Sequence, residues 1–558
     1  MTENINEAGT ERALFRRRHT SESRVGRIGI GGENPVRVQS MTNTSTLDTE
    51  GSVAQILRIA KAGGEIVRLT TQGVREAENM ARIREGVHSA GCDVPLVADV
   101  HFNPQAAYTA ARTCDKVRIN PGNFVDAART FKKLEFTDEE YAAEIGRIRE
   151  ALLPFLNLCR ENSTCVRLGV NHGSLSDRIM SRYGDTPDGM VESVMEYLRI
   201  AREVDFNNIV ISIKASNVVV MVETVHKLVA AMDKEDMHFP LHLGVTEAGD
   251  GEDGRVKSAV GIGSLLLEGI GDTIRVSLSE DPENEIPVGC RLRDFATTRI
   301  IGKTPLEDAP FPRPFPGEAS REKATPVPGT TVNGPIVIGH DIVSDSIPHA
   351  WHQCDADSEI MIFDDELPVL LSAEGVDRVA RVMRCIDSFI ERGGKNPIIL
   401  RLKYDTDEWE QLQIEAATEF GSLLLRGYCS GIWGDAPAFP REKVAGLALG
   451  ILQAARLRIS KTEYIACPGC GRTLFDLQTT LREVKEATKE MVGLKIGVMG
   501  CIVNGPGEMA DADYGYVGAG PGRVSLYKGK QLVQKNIPAS EALPALLALI
   551  RADRPNHT

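Results

Sequence analysis

Three of the eleven cysteines stand apart by their company. Cys467 and Cys470 form a CxxC turn in IACPGCGRTLFDL, and Cys501 follows after thirty intervening residues in GVMGCIVNGPGE, which ends on Glu508. A CxxC turn presents two thiolates to one metal centre, and a third from a distant glycine-flanked loop completes three corners of a cube. Glu508, seven residues beyond Cys501 and past the tight NGPG turn, then offers a hard oxygen to the remaining iron. Such a bond exchanges readily and suits substrate binding better than electron storage. The pattern reads as a [4Fe–4S] cluster on Cys467, Cys470, Cys501 and Glu508. On the cysteines alone a structural zinc ribbon fits equally well. A zinc site normally closes with a fourth Cys or His, however, and neither stands in the CIVNGPGE loop. The other cysteines are scattered singly and read as small buried hydrophobes, and in a chain expected to lack a secretory leader they should stay reduced.

A second set is cationic. Arg68, Arg118, Arg167, Lys214 and Arg275 are dense for a chain of formal charge −14, and their natural counter-ion is a phosphate ester carrying two or three negative charges. Glu247 and His101 are candidate proton donors and Asp99 a hydrogen-bond partner. GIGSLLLEG, residues 261–269, is expected to add backbone N–H groups at a helix N-terminus. No GxxxxGK[ST] occurs, and GRIGIGGENP lacks the last glycine of GxGxxG, so a nucleotide-binding fold is disfavoured.

Eight short apolar runs position this set: VRVQS, EIVRLT, PLVADV, KVRIN, CVRLGV, NIVISIK, PLHLGV and TIRVSL. Helical periodicity fills most gaps, as in SVAQILRIAKAGG and GMVESVMEYLRIARE, which predicts parallel strands with helical crossovers in a (β/α)8 barrel. Gln39, Arg68, Asp99, His101, Arg118, Asn120, Arg167, Asn171, Lys214, Ser216, Glu247, Arg275 and Ser277 all fall at or just past the C-terminal ends of these runs. Any one alone would be an ordinary strand cap; recurrence on every strand points to the mouth of a barrel, where such folds keep their active sites.

The proposed boundaries are a polar tail over 1–25, a TIM barrel over 26–301, an inserted α/β domain over 302–460 with a Pro-rich linker at 309–329, and an α+β cluster domain over 461–558. Within the insert PIVIG, EIMIF, PIILRL and GSLLLRG read as strands, and VDRVARVMRCIDSFIERGG and VAGLALGILQAARLRI as helices. His349, His352 and Cys354 lack a further ligand at fixed spacing and read as structural. Globular composition, with 42% hydrophobic residues and no long apolar stretch, predicts a cytoplasmic protein without a membrane span. The acidic balance argues against broad nucleic-acid binding. Residues 461–558 hold twelve Lys and Arg against ten Asp and Glu, so a small acidic partner would dock there.

VRVQSMTNT, ADVHF, VRINPGN, RLGVNHGSL, ISIKASN, LHLGVTEAGDGEDGRVKSAVGIG, CPGCGRTLFDLQ and GCIVNGPGE together resemble the hydroxymethylbutenyl diphosphate synthase family of the methylerythritol phosphate pathway of isoprenoid biosynthesis. The insert resembles that family's longer, three-domain, plant-like form, whose extra domain is itself TIM-like. The resemblance implies reductive ring opening and dehydroxylation of 2-C-methyl-D-erythritol 2,4-cyclodiphosphate to a linear allylic diphosphate, with electrons from ferredoxin or flavodoxin. It further implies that Arg68, Arg118, Arg167, Lys214, Arg275 and Ser277 clamp the diphosphate, that Asp99, His101, Asn120 and Asn171 contact the carbon part, and that Ser216 belongs to the same substrate pocket. Glu247 would then protonate the departing hydroxyl, and Glu508 would yield its iron to substrate. Shorter relatives cap one barrel with the cluster part of a partner chain, which admits a homodimer; in the longer form the insert would let the cluster part reach its own barrel. Two rival readings remain at this level. One is a phosphate-ester lyase or pterin-type transferase with a zinc tail, the other a non-catalytic iron–sulfur sensor.

Overall fold

The computed structural model describes residues 12–13, 17–100, 103–125, 135–299, 304–305, 315–316, 325–343, 351–502, 505–509 and 511–554. The eight apolar runs form a closed parallel barrel: β1 Arg37–Met41, β2 Ile66–Thr71, β3 Leu96–Val100, β4 Lys116–Ile119, β5 Cys165–Asn171, β6 Ile209–Lys214, β7 Leu241–Leu243 and β8 Thr273–Ile274. Thr273 opposite Arg37 and Ile274 opposite Val38 complete the ring. Its strands lack the alternation of a half-exposed sheet, because helices cover the outside while side chains fill the inside. The first crossover helix, Thr49–Lys61, begins where Asp48 accepts the Gly51 N–H and gives way to Gly63 at φ +102°.

The chain divides into two compact units. One comprises His19–Ser258, Gly271–Cys290 and Lys461–Thr558, so the barrel and the C-terminal segment belong to the same unit. The C-terminal sheet runs β14 Glu463–Ala466, β15 Lys495–Met499, β16 Tyr514–Gly520, β17 Arg523–Lys528 and β18 Gln531–Pro538 in spatial order; β14 to β16 are parallel and the last two antiparallel. Leu481, Val484, Leu546 and Ile550 from its two helices pack on Ile496, Val498, Val524 and Leu526. This sheet seats directly on the barrel. Ala248 bridges Ala466, the Ser279 hydroxyl donates to the Cys467 carbonyl, and buried Lys257 pairs with Glu463 at 3.0 Å. Lys461 and Lys485 add ion pairs to Asp253 and Asp250.

The other unit comprises Met1–Arg18, Ala259–Ile270 and Arg291–Ser460. Its parallel sheet has the order β9 Ile336–Val337, β13 Gly431–Asp435, β12 Ile398–Lys403, β11 Val369–Ala373, β10 His352–Asp355. Two sequence expectations give way here. EIMIF is not a strand, and Met361 and Ile362 are exposed at 69% and 44%; GSLLLRG lies at the end of helix Trp409–Leu425. His352 stacks on Phe363 and bonds Asp365 at 2.9 Å, a local arrangement, while His349 lies outside the described residues. The GIG of GIGSLLLEG is corrected as well. It sits in a π-helical turn, Ala259–Gly263, inside a continuous helix, so its N–H groups are not at a helix N-terminus. A Cβ on Gly263 would meet the Thr418 hydroxyl at 2.5 Å, so the glycine serves close packing against helix Trp409–Leu425. Among the described residues no helix is long and apolar enough to cross a membrane.

Candidate active site

The strand ends of the barrel and three turns of the C-terminal sheet enclose one cavity. Met41, Arg68, Asp99, Arg118, Arg167, Asn171, Lys214, Thr246, Glu247, Arg275 and Ser277 line it from the barrel; Cys467, Cys470, Arg472, Met499, Cys501 and Glu508 are prominent on the other side.

On the barrel side, Asp99 is the hub. Strand register sets Asp99 opposite Arg118 and Arg118 opposite Arg167, and the carboxylate lies 3.3 Å from Arg118, 3.6 Å from Arg167 and 3.7 Å from Arg68. Arg275 instead forms a two-bond pair with buried Glu285 at 2.9 and 2.8 Å. Arg68 turns its guanidinium onto the Met41 sulfur at 3.0 and 3.1 Å. Two glycines make room for these long side chains: a Cβ on Gly169 would stand 2.5 Å from the Arg118 Nε, and one on Gly244 3.0 Å from the Lys214 Nζ. Burial, reinforced by neighbouring cations, holds Lys214 and Arg167 well below their ordinary values, and burial brings Arg68 to about 10. Groups shifted this way want an anion among them.

The C-terminal side is built around sulfur. Cys467 follows β14, and its Sγ accepts the Gly500 N–H at 3.2 Å. Cys470 follows Gly469 at φ +79° and closes a turn with Thr473, whose hydroxyl accepts the Cys470 N–H at 3.0 Å. Burial pushes the Cys467 thiol up, so holding it as a thiolate takes a positive centre. Burial also opposes the charge on Arg472, but Cys470, Cys501 and Asp99 outweigh it and raise the guanidinium above its usual range. Three soft sulfurs and one carboxylate, with a backbone N–H on one sulfur and a cation beside the other two, fit the donor set of an iron–sulfur cluster. Among the described residues no three His, Cys, Asp or Glu side chains converge on a single-ion site.

Two carboxyls meet where the halves join. Asn171 donates to the Glu508 Oε1 at 2.8 Å and Ser216 to the Glu508 carbonyl at 3.1 Å. Gly173 and Gly507 touch backbone to backbone, since a Cβ on Gly173 would lie 2.5 Å from the Gly507 carbonyl oxygen. Glu247 takes φ +50° and is 4% exposed; burial first, then the Glu508 charge, hold its carboxyl well above the usual range.

Not every predicted residue lines the cavity. Asn120 faces its own loop, bonding Ser174 and the Gly122 N–H, and Ser216 holds the Glu508 segment. Gln39 lies deeper in the barrel, bonded to His242 and Thr273. His101 lies outside the described residues. Arg472 and Glu285 were missed by sequence reasoning. Arg472 was visible as the cation two residues after the CxxC pair, whereas nothing local marks Glu285 as the partner of Arg275.

Residues 20–290 match the GcpE TIM-barrel domain and residues 463–552 the GcpE protein C-terminal domain. The chain is 50% identical to a 4-hydroxy-3-methylbut-2-en-1-yl diphosphate synthase (flavodoxin) of Bacteroides thetaiotaomicron, across 96% of this chain and 98% of the relative. Proteins of the same description from Porphyromonas gingivalis and Protochlamydia amoebophila are 46% and 39% identical, again across 96% of this chain and 98% and 96% of theirs. With both domain matches in order and relatives aligned over nearly their whole length, the chain belongs to the GcpE family of enzymes.

Proposed function

We propose that this enzyme reductively opens 2-C-methyl-D-erythritol 2,4-cyclodiphosphate and removes a hydroxyl to give (E)-4-hydroxy-3-methylbut-2-enyl diphosphate. The observation that carries the reading is the single cavity in which Arg68, Arg118, Arg167, Lys214, Arg275 and Arg472 face Cys467, Cys470, Cys501 and Glu508. A carbon–oxygen bond to the ring diphosphate breaks, the hydroxyl leaves as water, and two electrons and two protons balance the change. Cys467, Cys470 and Cys501, with Glu508 as an exchangeable ligand, would hold a [4Fe–4S] cluster, which would supply the electrons one at a time. The chain's own residues do the rest. The cation set grips the diphosphate, and Asp99, 3.3–3.7 Å from Arg68, Arg118 and Arg167, holds their guanidinium groups in place. Asn171 and Ser216 hold the Glu508 turn at the seam. Glu247, kept protonated by burial, gives its proton to the departing hydroxyl. The names of the relatives support flavodoxin as the donor.

The test is anaerobic purification with iron, sulfide and zinc analysis, followed by turnover of the cyclodiphosphate with a strong chemical reductant. Four irons and four sulfides per chain with product formed are expected; stoichiometric zinc, or an intact cluster without turnover, overturns the reading.

A further inference from the structure

The outer part of the C-terminal sheet has no part in the chemistry above. From Tyr514 to Pro538 the chain carries Arg523, Lys528, Lys530 and Lys535 and no Asp or Glu, within a protein of charge −14. Lys528 pairs with Asp553 at 2.8 Å, so the local positive field comes from the other three. β18 is the edge strand. Gln531 to Asn536 are all exposed, and Leu532 and Val533 each show 42% of their surface. Exposed strand edges are usually blunted or covered, and this one offers an aliphatic centre between lysines.

The register ties the edge to the cavity. Met499, on the cavity wall, stands opposite Val517, Val517 opposite Ser525, and the Ser525 hydroxyl accepts the Asn536 N–H at 3.1 Å. Lys535 is therefore about three strand spacings, ~14 Å, from the wall. A shorter path crosses the top of the sheet. A Cβ on Gly518 would lie 2.4 Å from the Gly500 carbonyl oxygen, and the Gly500 N–H already bonds the Cys467 sulfur. Beyond Gly518 the turn to Arg523 is exposed, as is Ile502, at 53%, next to Cys501.

We propose that the exposed edge of the sheet, with Leu532 and Val533 on its edge strand and Arg523 and Lys535 beside them, docks the small acidic protein that carries electrons to this enzyme. The inference rests on the reaction proposed above and names where its donor binds. Opposite charge steers encounter between an acidic carrier and a basic patch on an otherwise acidic molecule, and a small apolar centre suits the brief, limited interfaces of electron-transfer pairs.

The cluster-loaded protein would be titrated calorimetrically with a purified, oxidised bacterial flavodoxin at low and moderate ionic strength. Arg523→Glu with Lys535→Glu should weaken binding at least 10-fold and flatten its salt dependence, with iron content and thermal melting unchanged. Lys234→Glu, on an exposed position of the barrel helix Val218–Lys234, should do neither. Equal binding by the double variant and the unaltered chain overturns the docking face and leaves the reaction standing. No binding by the unaltered chain overturns the partner as well, and an equal loss from Lys234→Glu shows that only net charge matters.

Discussion

Glu247 holds a left-handed backbone at φ +50°, which costs a residue with a side chain roughly 1–3 kcal/mol and persists only where its surroundings fix it. The strain turns a buried carboxyl toward the seam with Glu508. Glu247→Gln keeps the shape and removes the proton, and should lower kcat by about 100-fold or more with iron content intact; an unchanged kcat would assign the proton elsewhere. Lys116 gives a pH test. It is fully buried in β4, its Nζ has no hydrogen-bond partner among the described residues, and burial lowers it from 10.5 to about 8. The unfolded chain therefore binds this proton more tightly. The penalty, of order 3 kcal/mol, is fully present below about pH 8 and fades as pH rises toward 10.5. Lys116→Met should raise the denaturant midpoint at pH 7, with the gain shrinking across that window; a pH-independent gain would show a packing effect only. At this scale the sequence was legible where strand ends place cations, as with Arg68 to Arg275. It was less so for Asn120 and Ser216, because position at a strand end says where a side chain starts and not which loop it braces.

The elements divide along a similar line. Barrel strands were readable because each is a short β-branched run with a polar residue at its end. EIMIF and GSLLLRG misled because a short apolar run looks alike in a strand, a buried helix end or an exposed turn. The seam between barrel and C-terminal sheet left no sequence signal, since Lys257 and Glu463 are some two hundred residues apart and each looks like an ordinary surface charge. Their burial makes the seam testable. Glu463→Ala strands a buried ammonium and should cost about 3–5 kcal/mol, read as a lower melting temperature and faster proteolysis near residue 460. Adding Lys257→Met should restore most of the loss. If Glu463→Ala is silent, the pair does not hold the seam.

At the scale of the molecule, the cations and the cysteines that line the cavity come from one chain within one compact unit. A chain carrying Cys467→Ser mixed with one carrying Glu247→Ala should therefore recover no activity in the hybrid. Recovery would mean that the C-terminal part of one chain closes the barrel of another.

The order in which that cavity is made follows from its strand-end construction. Ser277, the last barrel residue on its wall, precedes Cys467 by roughly 190 residues. At about 5–20 residues per second, a ribosome completes the cationic mouth some 10–40 s before it delivers the first cysteine of the wall. For that interval the nascent barrel is an open, multiply charged bowl in a cell rich in phosphate esters, and whatever anion fills it must be expelled or accommodated when the C-terminal sheet arrives to close it.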